Sequence, residues 1–157
     1  MVAITEEKKK ILSTSLLAVV ALLSICAYLW YMPPYMPVLP TTSLQIGNAM
    51  LEVELATTDA ERSQGLSGRT SLPEGKGMFF VFDSPGNWGI WMKDMHFPID
   101  IIWADQNGEV ITVVENATPE SYPKSFYPSV PAQYVLEVPA GFAKAHAIAE
   151  GSILVVK

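Results

Sequence analysis

From Ile11 to Tyr31 the chain reads ILSTSLLAVVALLSICAYLWY, without a single charged residue. A helix of that length, at about 1.5 Å per residue, crosses a hydrocarbon core of about 30 Å. The run predicts a transmembrane helix, which removes the first part of the 157 residues from any globular core. Lys8, Lys9 and Lys10 stand directly before it. Because Lys and Arg are retained on the cytoplasmic side, we expect residues 1–10 as a cytoplasmic tail and 11–31 as a signal anchor in the cytoplasmic membrane. The rest then faces the periplasm or exterior. Tyr28, Trp30 and Tyr31 gather at the far end, where amphipathic rings favour the headgroup layer.

Two processing routes compete with an anchor. A cleaved export signal has a shorter apolar core and small residues at its cleavage site, whereas this core ends in YLWYMPP. LSIC at Leu23–Cys26 looks like a lipoprotein box, but Ile25 occupies the place of a small residue. Cys26 reads more simply as a small apolar residue within a membrane helix.

Residues 32–42, MPPYMPVLPTT, hold four prolines and predict an extended linker. Residues 43–157 then form the extracytoplasmic domain. It has no cysteine and must be held by its own core, which its length allows. From Thr41 onward 14 acids face 7 bases, a net −7. That balance argues against nucleic acid or anionic lipid as ligand, since both reward clustered Lys and Arg.

The domain reads as mainly β (α+β), a compact antiparallel, barrel-like sheet with one or two short helices. Leu44–Ile46 and Met50–Ala56 flank Gly47-Asn48 as a hairpin, with Leu51, Val53 and Leu55 alternating against Glu52 and Glu54. Thr58-Asp-Ala-Glu61 matches a capping box and starts a helix over 59–66. Met78–Phe82, MFFVF, is an apolar run of strand length. Asp105-Gln-Asn-Gly108 joins strands 99–103 and 109–114 through Asn-Gly, predicting a type I′ turn. It lacks the ligands of a calcium loop. A long loop at 119–131 precedes a strand at 133–138, a short helix within 140–147 and a closing strand at 152–156. Asn116-Ala-Thr118 is formally a glycan sequon.

The central stretch is Trp88–Asp100, WGIWMKDMHFPID, which embeds Lys93, Asp94 and Asp100 in apolar sequence. Trp88, Trp91, Met92 and Met95 have helical spacing, yet Gly86, Gly89 and Pro98 favour strands. Three segments, ERSQGLSGRTSLPEGKGMFFVF, IWMKDMHFPIDIIW with DQNGEV, and YVLEVPAGFAKAHAIAEGS, resemble in order the domain of unknown function 192 family. The likeness covers about Leu51–Val156. It implies a small, mostly β protein, found alone or behind an export signal, with no established activity. Where the family pattern tends to Trp-Met-Lys-Asn-Thr and Pro-Leu-Asp, this chain has Asp94, Met95 and Ile99, and Ser67 stands where Met is frequent. Any role resting on an amide or hydroxyl at 94 or 95 is thereby weakened.

Charge in apolar sequence needs a partner or a purpose. Arg62, Lys93 and Asp100, with Asp94 beside them and Trp91 and the 119–131 loop as walls, are expected to converge on a small polar ligand. In the competing reading the same residues form an internal clamp fixing the helix on the sheet. No catalytic residue, cofactor or metal is expected. The domain lacks a cysteine nucleophile and a Gly-x-Ser-x-Gly elbow, and His96, Asp94 and His146 have no metal-ligand spacing. The expected function is a binding or interaction module for a small polar ligand or envelope protein. The alternatives are a small hydrolase-like enzyme using the Lys/Asp/Arg cluster, or a structural envelope protein.

Overall fold

The structure is a computed structural model and describes residues 6–31 and 38–157, with side chains of the first helix from Leu17 onward. The chain divides into two units, 1–38 and 39–157. In the first, helix α1 spans Glu6–Tyr31, and its described side chains, Leu17–Tyr31, are exposed. Among the described residues no helix is long and apolar enough to cross a membrane. The span and signal anchor expected at 11–31 are therefore not supported by the structure, and the side chains of residues 6–16 lie outside the described ones. Most of the linker expected at 32–42 also lies outside them, although Thr41 and Thr42 already belong to a strand.

The second unit is the expected mainly β domain. Its strands are β1 (Thr41–Ile46), β2 (Ala49–Ala56), β3 (Lys76–Gly86), β4 (Ile90–Trp91), β5 (Ile99–Ala104), β6 (Val110–Ala117), β7 (Ser125–Phe126), β8 (Ala132–Pro139) and β9 (Leu154–Val156). Helix α2 is Asp59–Gln64 and α3 is Phe142–Ala145. Seven strands form one sheet in the order β6-β5-β8-β3-β2-β1-β9, and β4 pairs with β7 separately. A bridge between Glu109 and Ile153 joins the two ends of the large sheet, so it curls almost into a barrel.

Strand alternation gives this sheet two buried faces. Leu44, Ile46, Leu51, Val53, Phe79, Ile102, Val110, Leu136, Val138 and Leu154 form one core to which all seven strands contribute, which makes it the interior of the curl. Met78, Phe80, Phe82, Ile99, Ile101, Trp103 and Val135 face the other way into a second core with Leu66, Ile90, Met92 and Met95. MFFVF is apolar throughout because both of its faces are covered.

One departure from the antiparallel expectation positions everything on the outer face. β2 and β3 are parallel. Parallel neighbours need a crossover, and residues 57–75, with α2, supply it over that second core. The capping box forms as expected, with Glu61 N bonded to the Thr58 hydroxyl and Thr58 N to the Glu61 carboxylate. The helix stops at Gln64, earlier than expected, with Gly65 as its C-cap.

Two local expectations are corrected. At 105–108 the positive φ falls on Gly108 (81°) and not on Asn107, so the turn is not type I′. Asp105 instead accepts the amides of Asn107 and Glu109, and the register shifts between Trp103 and Ala104. In the 88–98 stretch neither helix nor strand prevails: only Ile90–Trp91 is strand, where it pairs with Phe126 and Ser125.

Candidate functional site

Arg62 lies mid-way along α2 and points toward the sheet. Its guanidinium donates to the carbonyls of Thr57 and Val81 (2.8 Å to the latter), pairs with Asp59 and sits 5.0 Å from the Phe82 ring centroid. Phe82 in turn stacks on Trp88 at 4.2 Å. Arg62 is thus a clamp of helix on sheet, but its acceptors are backbone carbonyls and Asp59.

Asp100 is not its partner. It is fully buried on the inner face of β5 with Ile102, while Arg62 and Trp91 belong to the outer face. Its two carboxyl oxygens accept the amides of Asn116 (2.8 Å) and Ala143 (2.9 Å), tying the end of β6 and the first turn of α3 to β5. The expected convergence of Arg62, Lys93 and Asp100 is absent because strand alternation places Asp100 on the far side of the sheet.

Between α2 and β4 a narrow pocket of ≈ 50 Å³ opens, lined by Arg62, Ser63, Leu66, Phe80, Trp91 and Glu137 among others. Trp91 is half exposed at its rim, with the Lys93 ammonium 5.6 Å from its ring centroid and Tyr122 of the 119–131 loop edge-on at 6.2 Å. The expected walls are therefore adjacent. Asp94 is exposed in the left-handed region (φ 54°), and its carbonyl, not its carboxyl, accepts from Gly68 N.

Glu137 forms the buried part of this lining and is not among the residues expected from the sequence. It sits in the interior strand β8 between Met78 of β3 and Ile101 of β5, both fully buried. Only 5% of it is exposed, and among the described residues its carboxyl has no hydrogen-bond or ion-pair partner. Burial in apolar surroundings pushes its pKa up to about 8, and the charge of Arg69 offsets this only in part. Arg69 is already held by both oxygens of Glu54, whose carboxyl it keeps below the usual range. The signal that marked Asp100, an acid inside an apolar strand, also marks Glu137 in YVLEV.

A larger hollow of ≈ 510 Å³ lies beside α3, near Met50, Glu74, Phe142 and His146. Among the described residues no three His, Cys, Asp or Glu side chains are placed to hold a metal ion.

Comparison with known proteins gives a consistent but functionally silent picture. The model of the DUF192 family, described as "Uncharacterized ACR", matches residues 42–156. A crystal structure described as a candidate transcription regulator from Sinorhizobium meliloti is similar at 29% identity and a TM-score of 0.73, covering 78% of this chain and 98% of that one. A protein of unknown function from Novosphingobium aromaticivorans is similar at 28% identity and a TM-score of 0.72, covering 79% and 92%. No curated protein matches the chain.

Proposed function

The chain belongs to the DUF192 family, and from that membership and the pocket floored by Glu137 we propose a membrane-anchored, extracytoplasmic binding module for a small polar ligand. One observation carries the ligand reading: a carboxyl buried without a partner, with its remaining access through a pocket. Its oxygens have no protein partner yet keep some access to solvent, so a ligand in the pocket takes the place of water at them. Arg62 and Trp91, from the residues expected in the sequence, wall that pocket, and Lys93 sits over Trp91 at the rim. Asp94 and Asp100 have no part in it.

The anchor and its location belong to the same proposal. The uncharged run 11–31 and the lysines directly before it in the sequence support it. The net −7 of the domain makes nucleic acid a poor ligand, so the relative's description as a regulator is not carried over.

A hydrolase-like reading has one feature in its favour, since a glutamic acid whose burial in a pocket pushes its pKa up to about 8 suits a general acid. Of the Arg62, Lys93, Asp94 and Asp100 cluster expected to serve such an enzyme, Arg62 lines the pocket and the other three do not.

The test is a thermal-shift screen of small polar compounds on the full-length chain in detergent, repeated on Glu137→Gln. A ligand at about 100 times its Kd stabilises by about 2.7 kcal/mol, so a true hit raises Tm in the wild type and not in the variant. Hits that persist unchanged in Glu137→Gln place the ligand elsewhere and refute the pocket.

A further inference from the structure

Resting on the pocket reading, we infer that the group entering the pocket is a primary ammonium on an aliphatic stem, from a small amine or a lysine side chain. Four features of the site converge on that chemistry. The floor is an unpartnered carboxyl, whose strongest possible companion is a cation. Leu66, Phe80, Ile90 and Met95 give the lining an apolar part that suits methylenes, beside a polar part from Arg62, Ser63, Gln64 and Ser67. The Trp91 ring at the rim already carries one ammonium, that of Lys93, at 5.6 Å. The domain as a whole has a net charge of −7, which draws cations toward it, while the charged groups at the pocket besides Glu137 are the cations Arg62 and Lys93. A pocket of ≈ 50 Å³ has room for a few water-sized groups, enough for an ammonium and the start of its stem but not for a ring.

The charged groups around Glu137 do not occupy this role. On the crossover, Arg62 is committed to Asp59 and two carbonyls, and Arg69 to Glu54 of β2. Lys93 rests on the Trp91 face. When the ammonium enters, the Glu137 carboxyl releases its proton to solvent and the resulting carboxylate pairs with the ligand, so one proton leaves for each amine bound.

The experiment is titration calorimetry on the full-length chain in detergent at moderate salt. The probes are butylamine, 1,4-diaminobutane and Nα-acetyl-lysine amide, with 1-butanol and butanoate as controls. We expect amines alone to bind, with proton release. Their affinity rises about tenfold per pH unit through neutrality and levels off above about 8. Glu137→Gln weakens binding at least about tenfold at the high-pH plateau, and Trp91→Ala, at an exposed position, weakens it severalfold with the fold intact. Binding of the lysine amide as tightly as butylamine identifies a side chain as an eligible source, and binding of the free amines alone restricts it to small amines. Amine binding without pH dependence, or undiminished in both variants, overturns the inference. If butanol or butanoate binds instead and Glu137→Gln abolishes it, the ammonium assignment falls while the pocket stands. If no probe or screened compound depends on Glu137, both fall.

Discussion

Asp100 and Glu137 sit on adjacent strands and solve the same problem in opposite ways. Asp100 pairs in register with Val138 and satisfies both carboxyl oxygens with backbone amides, one from β6 and one from α3. Glu137, one position away and on the other face, takes no partner, and its burial pushes its pKa up to about 8. The consequence for stability follows from linkage. A carboxyl whose pKa rises from 4.5 to about 8 on folding binds more protons folded than unfolded within that interval, so its contribution is fully present below 4.5 and is lost as pH rises to about 8. The loss is up to about 1.4 kcal/mol per pH unit. Glu137→Gln should flatten this decline and leave the variant more stable than wild type on the alkaline side, as read by denaturant unfolding at stepped pH. For Asp100→Asn one acceptor becomes a donor facing an amide, and we expect about 1–3 kcal/mol of destabilisation. A wild-type Tm in that variant would refute the clamp assigned to Asp100.

At the scale of elements, the closure of the sheet depends on the 105–108 turn. Gly108 has a φ of 81°, its carbonyl accepts Leu154 N at 2.8 Å, and a Cβ there would lie 2.4 Å from the Leu154 carbonyl oxygen. Gly108→Ala should therefore push β9 from the start of β6 and lower stability by about 1–3 kcal/mol. Faster amide exchange at Leu154 and Val110 would locate the damage. The hairpins, the capping box and the short helices were legible in the sequence because each depends on neighbours within a few residues. The parallel β2–β3 pair was not, since its partners Val53 and Gly77 are far apart and nothing local marks a crossover. The 88–98 stretch misled for a related reason: its side chains enter a core made by β3, β5 and β8, and that packing overrides its own period. Arg62 and Trp91 were found because charge and aromaticity stood out. Glu137 does not stand out because QYVLEV reads as an ordinary strand with an outward acid, and its outward face is roofed only once the crossover and β4 are in place.

For the molecule as a whole, the proposal turns on which side of a membrane the β domain occupies. An uncharged run preceded by three consecutive lysines has one favoured orientation, because moving those lysines across the bilayer is costly. Cys26 is the chain's one cysteine, so its replacement leaves a background free of thiols. In Cys26→Ser, Gln106→Cys places a reporter on the exposed tip of the 105–108 turn, and Thr5→Cys places one before the lysines. A maleimide unable to cross the cytoplasmic membrane should label the cysteine at 106 in intact cells and reach the one at 5 only after lysis. Labelling of both without lysis, or of neither, would remove the anchor, and labelling of 5 alone would reverse it. The pocket would survive either result, since its chemistry is set by Glu137 and the elements that roof it. Only the compartment supplying its ligand would change.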